Sequence, residues 1–223
     1  MELLTTANPK ALKSQPFGYE TFILHLAPAN LSGFNVCQFS SAGCRAGCLN
    51  SAGRGAFTRT QTARIRRTKL FFDNPTEFFA LLVADIYVGI RLAKKHNLTA
   101  CFRLNGTSDI PFERITVPGT DKNIFDMFPD VIFYDYSKIP GRIVPANYHL
   151  TFSRSESNEN DVTREYLSGR NVAVVFHKVP ETWNGIPVFL GDGSDLRFLD
   201  PAGHIVALTA KGKAKKDTSG FVL

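Results

Sequence analysis

Cys37, Cys44 and Cys48 stand within a dozen residues, spaced C-x6-C-x3-C in the run N-V-C-Q-F-S-S-A-G-C-R-A-G-C-L-N. Thiolates are soft ligands that favour zinc, copper(I) and iron–sulfur clusters. A cluster also wants a short loop of small residues whose amides can turn towards sulfur, and Ser40, Ser41, Ala42 and Gly43 supply one. Structural zinc is usually closed by four ligands on C-x2-C knuckles. Here there is no such knuckle, and no histidine lies between Cys37 and His96. The pattern points to an iron–sulfur cluster, [4Fe-4S], held by three thiolates with one iron left open. A zinc site and unligated thiols are the rivals. Cys44 and Cys48 share one face if this stretch makes a helical turn. Gly53 and Gly55, in S-A-G-R-G-A, are placed to wrap the open side and bind the cofactor through their amides. Cys101, alone in an apolar stretch, reads as a small buried hydrophobe rather than a fourth ligand.

Further polar residues recur just after short apolar runs. Arg103 and Asn105 alternate with Phe102 and Leu104 and lead into G-T-S-D. A buried arginine needs an anionic partner, which would be Asp135, Asp109 or a bound ligand. Tyr134 to Lys138, Ser153 to Glu156, His177 with Lys178, and Asp192, Asp195 and Arg197 close later runs. Arg103, Asn105, Asp135, Ser153 and His177 are the candidate catalytic residues, with His177 the natural proton carrier by its ordinary pKa. Lys211 and Lys213 alternate in K-G-K-A-K-K and could both reach a pocket to hold phosphate or carboxylate. The same lysines, with the basic run Arg59, Arg64, Arg66, Arg67 and Lys69, could instead track nucleic acid. No Ser–His–Asp order and no G-x4-G-K-[ST] phosphate loop is present.

Strands and helices must position these groups. Residues 20–27, 98–104, 131–134, 149–152, 172–176, 188–190 and 205–208 read as short strands. Residues 58–72 read as a helix with its arginines outside. Asn74 and Pro75 then cap and open a longer helix that runs to Lys95. Residues 123–128 and 161–168 are further helical candidates. Strands alternating with helices imply a mostly parallel α/β sheet, whose sites gather at the carboxyl ends of the strands. The strand count predicts an irregular or incomplete barrel as a single domain over residues 1–223. After Trp183, N-G and G-D-G turns predict hairpin strands, and S-G-F-V-L is expected to pack back as a final strand.

The bulk properties suit a folded enzyme or binding protein. The chain is 43% hydrophobic and 21% charged, with 19 phenylalanines for a large aromatic core. A net charge of +6 mildly favours anionic partners: a small anionic ligand, a nucleotide or nucleic acid. The first ten residues lack a signal-sequence pattern. Residues 78–90, interrupted by Asp85, fall short of the ~20 apolar residues of a membrane span. No membrane association is expected, and the protein reads as cytoplasmic, where clustered thiols bind metals rather than pair as disulfides.

The cysteine run followed by S-A-G-R-G, the later R-L-N-G-T-S-D, and the ending A-L-T-A-K-G-K-A-K-K-D-T-S-G-F-V-L together resemble a bacteriophage-encoded family named for gene product eighty-eight of mycobacteriophages. The resemblance spans the chain from the cysteines to the terminus and implies a viral origin, hence the host cytoplasm, more than a reaction. A cysteine loop after the first strand of an α/β barrel is also similar in layout to the radical S-adenosylmethionine enzymes. Their usual spacing is C-x3-C-x2-C, and no G-G-E motif follows the next strand here. That layout implies an oxidoreductase or radical-type enzyme, with S-adenosylmethionine as a second cofactor. The resulting expectation is redox or Lewis-acid chemistry on a small anionic ligand beside the cluster; the alternative is a protein that binds nucleic acid or a host partner around a structural or sensory metal cluster.

Overall fold

The computed structural model of the chain describes residues 2–5 and 13–223. Among the described residues, nine strands form one sheet: β1 (Leu4–Thr5), β2 (Tyr19–Leu24), β3 (Thr99–Arg103), β4 (Ile132–Ser137), β5 (Tyr148–Ser153), β6 (Val172–Phe176), β7 (Thr182–Trp183), β8 (Ile186–Leu190) and β9 (Ile205–Thr209). Their order is β1-β2-β3-β4-β5-β6-β9-β8-β7. The strands from β2 to β8 in that order are parallel. Antiparallel β1 and β7 end the sheet on either side. The sheet has two edges and does not close into a barrel, so the expected mixed α/β, mostly parallel architecture holds in open form.

Helices α1 (Ala42–Ala46), α2 (Thr58–Asp73), α3 (Pro75–Lys95) and α4 (Glu159–Leu167) lie between strands. Asn74 caps α3, its Oδ1 accepting from the Glu77 amide at 3.2 Å, with Pro75 in the first turn. The apolar stripe Phe78, Leu82 and Ile86 then packs with Phe22, Phe102 and Phe133 of the sheet in the main core. Burial of such side chains contributes roughly 1.5–3 kcal/mol each. Within α3, Asp85 Oδ2 accepts from the amides of Leu3 at 2.6 Å and Leu4 at 3.0 Å, which anchors the edge strand β1.

Three expectations need correction. Residues 123–128 form turns rather than a helix. The Asn123 carbonyl oxygen on the side chain accepts from the amides of Phe125 and Asp126 at 2.9 and 3.0 Å, a local bond that competes with helix formation. Arg64 of α2 is not outside but buried at 7% exposure, bonded to Asn50 Oδ1. The final S-G-F-V-L is not a full strand: Val222 makes one parallel bridge to Val175. That bridge fills the edge of β6 beyond the point where β5 leaves it. Ala173 O accepts from Arg154 N of β5's end, and two residues on, Val175 O accepts from Leu223 N at 3.0 Å. The hairpin after Trp183 does form, as β7–β8 around Asn184-Gly185, but β8 then runs parallel to β9. Residues 1 and 6–12, which overlap the first ten residues read as lacking a signal sequence, lie outside the described residues.

Candidate metal centre and cavity

The carboxyl ends of the parallel strands open into a cavity of about 250 Å³. Cys37, Cys44, Gly47, Cys48 and Leu49 contribute to one part of its lining. Residues at or just beyond the strand ends contribute the rest, among them Arg103, Thr107, Lys138, Ser153, Asp192 and Lys211. The three clustered thiols are thus brought to one space. Cys101 is buried at 0% exposure, away from it, with its sulfur 3.3 Å from Thr21 Oγ1.

The cysteine segment is held by specific bonds. Ser41 caps α1 by accepting from the Cys44 amide at 3.1 Å. The helix ends at Ala46, so Cys48 lies beyond it in an extended conformation rather than in the same helical turn. Glu156, just after β5, accepts from Ser41 Oγ and from the Gly43 amide, both at 2.7 Å. Those bonds hold its carboxyl below the usual range even though burial opposes them. Gly43 must be glycine for packing: an added methyl would collide with Ser219 Oγ and come within 2.6 Å of Phe221 Cβ.

Two of the three sulfurs make weak hydrogen bonds with the backbone. The Asn50 amide donates to Cys48 Sγ at 3.5 Å, and Cys37 Sγ lies 3.8 Å from Thr107 O. Burial pushes the Cys37 thiol up to about 11, against a backbone bond near Ala29, and Asp109 and the other two thiols add to the rise. Burial likewise raises Cys48, with the Asn50 amide opposing it and Cys44 adding to it. Among the described residues, no three His, Cys, Asp or Glu side chains converge as ligands of a single metal ion. In a cluster each thiolate takes a different iron, so convergence on one point is not required.

The remaining expected site residues divide. Arg103 lines the cavity, with its Nε 3.5 Å from Asp135 Oδ1 and its guanidinium over the rings of Tyr136 and Tyr134 at 5.3 and 5.6 Å. Burial disfavours the charge of Arg103, but Asp135 outweighs it and holds the guanidinium above its ordinary range. Asp135 itself is fully buried and is not part of the lining. Strand alternation turns Tyr134 and Tyr136 one way and Phe133 and Asp135 the other. Asp135 Oδ2 accepts from the Leu104 and Asn105 amides at 3.0 Å each and from Tyr148 at 3.3 Å. Burial pushes this carboxyl up to about 7 against the pull of Arg103 and those amides.

Asn105 reaches the cavity, but its amide group is spent on the loop that follows. Oδ1 accepts from Ser108 Oγ and Ile110 N at 2.8 Å, and Nδ2 donates to Ile110 O at 3.0 Å. Ser153 lines the cavity and accepts from Lys138 Nζ at 2.7 Å. His177 does not reach it: its side chain is exposed and its amide donates to Leu223 O at 2.6 Å. Lys211 lines the cavity, paired with Asp192 at 2.5 Å, but Lys213 is exposed. The strand ends at Thr209 and Gly212–Lys216 coils as a 3-10 turn, so strand alternation does not carry on to Lys213. Gly53 and Gly55 are also outside the lining. An added methyl on Gly55 would lie 2.8 Å from Asn50 O, so that glycine supports the cysteine loop from behind. Gly47 and Gly106 are the glycines that line the cavity. Lys138 and Asp109, readable only as polar residues after apolar runs, prove more central than Asp135 or His177. The basic run on α2 is not a single free face, since Arg64 is buried and Arg67 donates to Glu2 O at 3.0 Å.

Fold and site together define an open, mostly parallel α/β protein with a cysteine-lined cavity at its strand ends. The chain belongs to the Gene product 88 family, whose model matches residues 2–223. No curated protein and no solved structure matches it, and nothing in these comparisons supports the likeness to radical S-adenosylmethionine enzymes. Among the described residues, no helix is long and apolar enough to cross a membrane.

Proposed function

We propose that Cys37, Cys44 and Cys48 hold a [4Fe-4S] cluster with one iron free of protein thiolate, and that the adjoining cavity binds a small anionic ligand against it. The observation that carries this reading is the gathering of the three thiols at one cavity shared with the strand ends. Such a cluster supplies electron transfer or Lewis-acid activation. The chain's own residues would do the rest. Glu156 and Ser41 fix the cysteine helix, and Asp135 braces Arg103 at the cavity wall. Phe221, Leu208 and Val175 present apolar surface to the same space.

Protein purified without oxygen is the test. The expected product is brown and carries about four iron and four sulfide per chain. A colourless product with one zinc, or with no metal after reconstitution with iron and sulfide, overturns the reading.

A further inference from the structure

Three cations line the cavity, and two are already neutralised: Arg103 by Asp135 and Lys211 by Asp192. Lys138 differs. It is half-buried, its Nζ donates to Ser153 Oγ at 2.7 Å, and it lies 5.6 Å above the Phe221 ring. Among the described residues, no carboxylate lies within ion-pair distance of that ammonium. Nearby Asp109 is engaged instead by the Lys138 amide at 2.7 Å, by Ser137 Oγ at 2.8 Å and by Arg142 at 3.4 Å.

We propose that Lys138 anchors the carboxylate of a small, largely apolar monocarboxylic acid bound in this cavity. The inference rests on reading the cavity as the ligand site and names the ligand's class. Charge selects a monoanion. One ammonium without an ion-pair partner offers one charge-assisted contact to a single carboxylate, whereas a phosphate dianion would bring a second negative charge close to Asp109, Asp192 and Asp195, where removal from water is costly. The backbone also lacks a phosphate cradle. The amino end of α1 is already taken by Glu156, and no glycine-rich phosphate loop is present. The body of the ligand faces Pro28, Leu49, Val175, Leu208, Ala214 and Phe221, which selects an apolar chain or ring.

The test is calorimetric or NMR titration of the whole chain with hexanoate, hexanamide and inorganic phosphate. Iron and sulfide are measured on the same samples. Hexanoate should bind, with hexanamide and phosphate each weaker by about tenfold or more, the effect of losing a charge-assisted bond. Lys138→Met should lose that preference and Lys138→Arg should keep it, with thermal unfolding confirming that both are folded. Equal binding of hexanoate and hexanamide, tighter binding of phosphate, or an unchanged preference in folded Lys138→Met overturns the proposal. So does iron-loaded protein that binds no hexanoate, which would leave Lys138 as a counter-charge to the cluster alone. Protein that stays iron-free after reconstitution with iron and sulfide yet binds hexanoate through Lys138 sinks the cluster reading and not this one.

Discussion

Glu156 grips the cysteine helix at Gly43: its Oε1 accepts from the Gly43 amide at 2.7 Å while Oε2 accepts from Ser41 Oγ at the same distance. The carboxylate comes from the loop after β5, so the strand-end scaffold and the thiol-bearing segment are joined by one side chain. Replacing Glu156 with alanine should cost about 1–3 kcal/mol, from two lost charge-assisted bonds at a helix start. Urea unfolding of both proteins measures the loss, and metal content should fall with it.

The Gly43 position makes a second demand. Gly43→Ala should destabilise by roughly 1–3 kcal/mol, because the added methyl drives into Ser219 and Phe221 and the terminal segment must shift. Equal melting temperatures for Gly43→Ala and the parent would contradict this packing.

Asp135 sets a pH dependence with a definite sign. Its folded-state pKa is raised by burial to about 7 from an ordinary 3.8. Between those values the folded state holds a proton that the unfolded chain has released. This group therefore makes stability fall as pH rises from about 4 to 7. Asp135→Asn should remove that part of the slope. At pH 8, where the carboxylate is charged, it should also destabilise by about 3–5 kcal/mol, because Arg103 is left buried without its counter-charge; at pH 5, where Asp135 already holds its proton, the loss should be smaller. Urea unfolding at pH 5 and pH 8 tests both statements.

His177 carries the opposite expectation. Its side chain is exposed and off the cavity, so His177→Ala should change stability by no more than about 0.5 kcal/mol. Ligand binding and metal content should be unaffected. A large loss of either would return it to the site.

Much of this was legible from residue pattern, and the exceptions have physical causes. Asn74-Pro75 and the apolar stripe behind it announced α3, and V-A-V-V-F announced β6, because capping and burial act locally. The C-x6-C-x3-C spacing marked the three thiols that meet at the cavity. Strand alternation failed where strands ended early. Lys213 and His177 lie past the last paired residues, so their side chains no longer obey a two-residue period. Asp135 was misplaced because its alternation with Tyr134 and Tyr136 turns it away from the cavity. Lys138 was visible only as one polar residue among several. Its distinction, a cation with no carboxylate partner among the described residues, depends on which distant side chains Asp109, Asp135 and Asp192 engage. Glu156 stood out only as one polar residue after a strand, since its partners Ser41 and Gly43 are more than a hundred residues away in the chain.

The most direct measurement compares iron and sulfide in four alanine variants prepared without oxygen. Cys37→Ala, Cys44→Ala and Cys48→Ala should each lose most of the iron and sulfide. Cys101→Ala should keep both, at a cost in stability on the order of 1 kcal/mol for a small buried side chain. Full iron in any of the first three, or loss of iron in Cys101→Ala alone, would contradict a cluster seated on that trio.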